Sequence, residues 1–327
     1  MLRIVARRLL TAVPLLLGVP TLTFLLVEAA PGRTIDVLIG DRPVSEEART
    51  RLEAAYGLDR PPLARYAAWV AHAAVLDFGW SVSRGRPVSR VLADALPATA
   101  GLAALALTLQ LGFAFALGGL HAMRPRGALD RALSIGGLAI ASIPPFWLGL
   151  MAILLLSAAV PVFPPSSAHS VGSEAWPWSE RAADAVWHAA LPALVLSAGG
   201  SAVLARYLRA GLLRSLSEGF VRAARGRGAA PLRVLLRHAV RASIGPVLTL
   251  AGLSLPVLVS GSLVVEVVFG WPGMGRATYE AVLGQDLPVA LASVLLSTLL
   301  VVLGNLAADL ALVWADPRIR TAAVTAR

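Results

Sequence analysis

The sequence contains no cysteine and no lysine, so all 29 of its basic residues are arginine. Without cysteine there is no disulfide, no thiolate nucleophile and no Cys-based metal site, and the redox state of the compartment leaves no trace. Without lysine there is no P-loop, because GxxxxGK[ST] needs its Lys to reach the β and γ phosphates of a nucleotide. Charge of either sign is scarce: 15% of 327 residues, against 57% hydrophobic and a mean hydropathy of +0.72. Soluble domains do not carry that balance, and a bilayer is its natural solvent. The five histidines stand apart at 72, 121, 169, 188 and 238, with no HExxH and no carboxylate at ligand spacing, so no metal site is expected. A formal charge of +10 usually points to nucleic acid, but here the arginines punctuate apolar runs instead of covering one face, and nucleic acid is not an expected partner.

What is present is a set of long apolar runs. A spanning helix needs about 20 such residues to cover a hydrocarbon core roughly 30 Å thick. Six stretches qualify: 9–27, 95–120, 132–173 (one tilted span with an external loop), 185–205, 242–265 and 287–308. The first reads as an uncleaved anchor, because it is longer than the apolar stretch of a signal peptide. An all-α integral membrane protein follows, with an N-terminal span over 1–29, an external subdomain over 30–94 and a core of five spans over 95–327.

Arginine also sets the expected orientation. Arg3, Arg7 and Arg8 precede span one, Arg124, Arg126 and Arg131 follow span two, nine arginines crowd the connection after span four, and Arg318, Arg320 and Arg327 end the chain. With six spans these all fall on one side, which is then the cytoplasm, and both termini lie there. The opposite segments carry mixed charge; between 30 and 94, nine Arg face eight Asp or Glu. Within that stretch Ser45, Glu46, Glu47 and the apolar Leu52, Ala55 and Tyr56 predict a capped helix closed by Gly57. Leu63, Tyr66, Ala67 and Val70 predict a second one after Pro61 and Pro62.

The connection after span four, over 211–241, is patterned for helix despite its charge. Phe220, Ala223, Ala224 and Arg227 lie at helical spacing, and Gly228 stands where a left-handed C-terminal cap is wanted. Pro231 suits the first turn of a second helix whose expected apolar stripe is Leu232, Leu235, Leu236 and Ala239. A loop that only fixes topology has no need of two patterned helices with a glycine break. A docking element does.

These residues carry a family resemblance. Arg222-Ala223-Ala224, three further residues and Gly228 resemble the EAA---G loop of binding-protein-dependent ABC importer permeases, with Arg222 in place of the Glu. Ala30-Pro31-Gly32, Tyr56-Gly57-Leu58-Asp59, Leu96-Pro97-Ala98-Thr99, Ser142 to Gly149 and His188 to Pro192 are similar to conserved segments of the dipeptide, oligopeptide and nickel branch. So are Val265-Glu266, Phe269 to Arg276 and the ending Asp316-Pro317-Arg318-Ile319-Arg320. Arg241-Ala242 departs from the Arg-Asn common there. The resemblance, to the first permease subunit of that branch, implies a type I importer permease fold and half of a translocation pathway. It also implies a coupling segment at Glu218, Phe220, Arg222, Ala223, Ala224, Arg225, Arg227 and Gly228. The implied partners are a homologous second permease, two ATPase subunits that hold ATP and Mg, and a solute-binding protein, in a prokaryotic inner membrane with its lipid. No cofactor is expected on this chain itself.

Other positions invite a role in the pathway. Pro144 and Pro145 must kink or break span three. Ser260, Ser262, Glu266 and Asn305 are polar positions in or near spans; the ionisable Glu266, Glu28 and Asp309 sit close enough to span ends to be expected at the water boundary. Phe269, Gly270, Trp271, Pro272, Gly273 and Gly275 predict a turn at the outer mouth. An intramembrane enzyme would need a nucleophile and base inside one bilayer region, and no apolar run pairs Ser with His at such depth. An ion-coupled transporter would place carboxylates near the midplane, where none is found.

Overall fold

The structure, a computed structural model, describes residues 2–29, 39, 45–55, 59–123 and 125–315. Ala30-Pro31-Gly32, Tyr56-Gly57-Leu58, Arg124 and the stretch from Asp316 to Arg327 lie outside the described residues. So do the side chains of Arg3, Arg7, Arg8, Leu52 and Ala55.

The described chain is mostly helical, with one small hairpin and an irregular stretch over 160–172. Helix α1 (Leu2–Ala29) is followed by α2 (Glu46–Ala55) and α3 (Pro62–Ala73), the short pair expected outside the membrane. Strands β1 (Trp80–Ser81) and β2 (Arg86–Pro87) pair antiparallel, which the sequence pattern did not announce. Then come α4 (Val88–Met123), α5 (Ala128–Ser142), α6 (Pro145–Ala159), α7 (Trp178–Leu216) and α8 (Gly219–Gly226). The chain continues through α9 (Pro231–Val268), α10 (Met274–Leu283) and α11 (Leu287–Ala315).

Among the described residues, five single helices, in α1, α4, α7, α9 and α11, are long and apolar enough to cross a membrane. The sixth span is the pair α5 and α6, bent by 103°. The bend has a local cause. Ile143 and Pro144 each precede a proline, which excludes the helical region for both, and they sit at ψ 130° and 135°. Two proline nitrogens in succession also leave the helical ladder without donors at that point.

The bent pair passes from one end of the bundle to the other. Asp130, at its start, is bonded to Arg209 of α7, whereas Ser170, eleven residues after its end, is bonded to Asp184 of the same helix. These partners are about 25 residues apart on α7, or roughly 37 Å at 1.5 Å of rise per residue. The pair is therefore one broken span and not a loop that returns to the side it left.

Helix α4 packs along α7, α9 crosses both, and α1 lies at the periphery against α11. Small residues permit close approach: a Cβ on Gly118 would lie 2.9 Å from Leu208, and one on Gly200 would lie 2.6 Å from the side chain of Gln110. Gln110 is buried in α4 and donates from Nε2 to Ser254 Oγ at 2.9 Å, joining α4, α7 and α9 in mid-bundle. Many large apolar side chains face outward, among them Leu22, Leu26, Ile135, Leu138 and Leu253. In water such a surface would be untenable, and in lipid it is required.

Candidate functional site

Two places hold the residues singled out in the sequence, one at each end of the bundle. At the Arg-rich end, α7 runs for 39 residues, roughly 58 Å, and so outreaches the hydrocarbon core before delivering the chain to α8. Helix α8 begins after Glu218, which stands at its N-cap with φ −72° and ψ 154° and no side-chain capping bond. It ends on Gly228 at φ +81°. The Gly228 amide donates to Arg225 O at 2.9 Å and the Ala229 amide to Ala224 O at 3.2 Å. That pair of bonds, with a left-handed glycine, is the Schellman motif, and the expected cap is present.

The two faces of α8 differ sharply. Val221 is fully buried and Ala224 is 2% exposed, packed with Val234 and flanked by Leu216 and Ala229. Glu218, Phe220, Arg222, Ala223, Arg225 and Arg227 are exposed. Ala224 thus meets the chain's own next helix, not an outside groove, and Val221, three residues before it on the same face, is the anchor that the sequence reading missed. An apolar pair at i and i+3 was the available signal.

The stripe expected on the following helix also changes. Val234, Leu235 and Ala239 are buried while Leu232 and Leu236 point outward, 61% and 59% exposed. The turn Val234–Ala239 is π-helical. Its wider turn rotates the later residues away from the faces that a 3.6-residue period assigns them. Ser215 Oγ and Ser243 Oγ, 2.9 Å apart and buried, tie the end of α7 to α9 behind α8.

At the far end, Phe269 to Gly275 form the expected turn, with Gly270 at φ +60°. Glu266 does not reach water there, as its place near a span end suggested; it is fully buried. Thr99 Oγ1 donates to its Oε1 at 2.7 Å and the Arg276 amide to its Oε2 at 3.0 Å, while the Met274 amide donates to Thr99 Oγ1 at 2.8 Å. Gly273 is required by this arrangement, since a Cβ would fall on the Glu266 carboxylate. Trp271 Nε1 donates to Ala98 O, Arg276 Nη1 to Gly270 O, and Pro272 stays exposed beside them. On the neighbouring side, Asp286 is buried and its Oδ2 accepts from Ser81 Oγ, Ser83 Oγ and the Ser83 amide, clipping the hairpin to the start of α11. The long-range pairing of Thr99, Glu266 and Asp286 has no local sequence signal.

The remaining candidates do not converge. Pro144 and Pro145 are exposed at the bend, Ser260 is exposed and Ser262 buried, each donating only to its own helix, and Asn305 is half-buried in α11. Glu28 meets the boundary expectation, pairing with Arg65 of α3 at 3.2 Å.

Helices long and apolar enough to fill a bilayer-sized core, joined by a stalk and an exposed amphipathic helix, define a multi-pass membrane protein. Residues 111–321 match the family described as binding-protein-dependent transport system inner membrane component. The chain belongs to that family. It is 35% identical over 316 residues to the oligopeptide transport system permease protein AppB of Bacillus subtilis (strain 168), covering 96% of this chain and 98% of that one. It is 33% identical over 333 residues to the di/tripeptide transport system permease protein DppB of Pseudomonas aeruginosa (strain UCBPP-PA14), covering 98% and 99%. With the dipeptide transport system permease protein DppB of Escherichia coli (strain K12) it shares 32% identity over 337 residues, again 98% and 99%. The chain is accordingly a transport permease and a non-catalytic subunit.

Proposed function

We propose that this chain forms half of the translocation pathway of an ATP-driven peptide importer, with α8 as the helix that seats in the partner ATPase. The observation that carries the coupling role is the two-faced α8: its apolar side is spent on the chain's own Val234, and its other side leaves Phe220, Arg222, Ala223 and Arg227 exposed. Peptide as cargo is supported by near full-length similarity to permeases named for oligopeptide, di/tripeptide and dipeptide transport.

In this reading α8 and both termini lie in the cytoplasm and the Glu266 corner and the hairpin outside, an orientation supported by the arginine distribution. The partners would be a second, homologous permease, two ATPase subunits carrying ATP and Mg, and an external solute-binding protein. Closure of the ATPases would push α8, and α7 would carry that displacement into the bundle, shifting it between outward and inward opening. Reconstitution of the chain with these subunits in proteoliposomes tests the reading. Uptake of di- to oligopeptides that follows internal ATP is the expected result; uptake driven by an ion gradient alone would overturn the importer assignment, and uptake of nickel chelates in place of peptides would reassign the cargo.

A further inference from the structure

Asp130, in the first turn of α5, is 4% exposed and accepts four hydrogen bonds from three separate parts of the chain. His121 Nδ1 of α4 lies 2.6 Å and Arg209 Nε of α7 2.7 Å from its Oδ1; the Arg126 amide lies 2.8 Å and Arg209 Nη2 2.7 Å from its Oδ2. All of its acceptor directions are taken, and the Arg209 contact is a two-point fork that fixes orientation as well as distance.

Elsewhere along their contact, α5 and α7 meet through small residues. A Cβ on Gly137 would lie 3.3 Å from Ala202, and one on Gly199 3.8 Å from Ala141. Such contacts hold the two helices close, and the fork is the polar link that pins the start of α5 to one level of α7. Beside it the α5 and α7 surfaces form an open cleft of about 690 Å³, lined by Leu138, Val203, Arg206 and Tyr207 among others. Beyond the bend, α6 is held differently: Leu148 packs with Leu191 and Val195 of upper α7, and Gly149 lies under Val268, the last residue of α9, and Phe269 just after it. The two limbs of the broken span are therefore fixed to different regions, and Ile143 to Pro145 join them. Arg209 sits ten residues before α8, roughly 15 Å along the stalk.

Taking the coupling role of α8 above as given, we propose that Asp130 and Arg209 are positioning residues that make the α5 limb follow α8 through the stalk, with the bend at Pro144 and Pro145 as the hinge. They touch no cargo. Their work is to convert displacement of the stalk into movement of one limb of the broken span.

The test uses the assembled complex, with cysteine-free partner subunits, in proteoliposomes. Spin labels at Leu138→Cys on α5 and Tyr279→Cys on α10, both exposed positions, report the distance between the α5 limb and the far end with and without ATP. The parent complex should show an ATP-dependent change in this distance. Asp130→Asn should abolish it and lower uptake per ATP hydrolysed about tenfold, in the range of couplings carried by such links, while ATP hydrolysis itself falls less than twofold. Arg209→Lys, which keeps the charge and loses the fork, should give an intermediate loss. If Asp130→Asn fails to assemble, Arg209→Gln decides, because that side chain is 28% exposed and its loss leaves Asp130 bonded to His121 and Arg126. Parental uptake per ATP, or a parental distance change, in the deciding variant would overturn the proposal. A parent complex with no ATP-driven uptake would sink the importer reading and the proposal together, an outcome distinct from a normally coupled variant.

Discussion

Gly228 is the residue on which the shape of the segment after α7 turns. Space around it is open, with nothing within 4 Å of a built Cβ, so a side chain there meets no clash and only the backbone suffers at φ +81°. Gly228→Val should cost about 1–2 kcal/mol of local strain and misdirect the chain between α8 and α9. The protein should still insert and accumulate, while ATPase stimulation and uptake by the assembled complex fall; normal transport at normal expression would remove the coupling role from this segment. The Glu266 corner obeys the opposite logic, since its glycine is demanded by crowding. Thr99→Val removes both the donor to Glu266 and the acceptor of the Met274 amide, leaving a buried N–H unpaired at a cost of about 1–3 kcal/mol. The melting temperature of the purified protein in detergent should drop accordingly, and an unchanged value would show that water replaces the hydroxyl. Of these residues, Gly228 was legible as a cap because helix ends are local. Thr99 and Glu266 are separated by 167 positions, and nothing local in the chain announces their bond.

At the scale of elements, α8 separates what holds the helix from what it offers. Val221→Asp buries a carboxylate against Val234 and should detach α8 from its seat, so that both protease resistance of the 219–230 region and ATPase docking are lost. Ala223→Glu, on the exposed face, should leave protease resistance unchanged and impair docking alone. If the two variants behave identically, the faces of α8 have been wrongly assigned. The stripe on the next helix shows why periodicity reached only so far: Leu236 fits a 3.6-residue pattern, but it lies in a π-helical turn that re-aims its side chain. The broken third span was half legible. Two prolines require a break, yet only the positions of Asp130 and Ser170 beside α7 decide that the chain crosses.

For the whole molecule, orientation is the prediction of widest consequence. The chain has no cysteine, so single replacements report cleanly. Ala223→Cys should be shielded from an impermeant thiol reagent in intact cells, and Ser179→Cys, exposed at the start of α7, should react. Labelling of Ala223→Cys from outside would invert the topology and separate α8 from any cytoplasmic ATPase. Purified alone, the chain should show no ATP hydrolysis, as it holds no P-loop lysine; robust activity that persists after removal of trace contaminants would contradict the division of labour between subunits.

The sequence by itself determined the solvent and the Arg-rich side, because these depend on sums over long stretches: apolar length against bilayer thickness, and charge between the runs. It also determined the family, through short motifs whose glycines and prolines answer to local backbone geometry. Only the tertiary structure decided which polar groups are enclosed. Glu266 looked like a boundary residue and is fully buried, Ala224 counted in the coupling segment and faces the chain's own next helix, and Asp130 drew no notice yet gathers four donors. Burial and pairing depend on helices brought together from distant parts of the chain, and a pattern read along one helix carries no record of its neighbours.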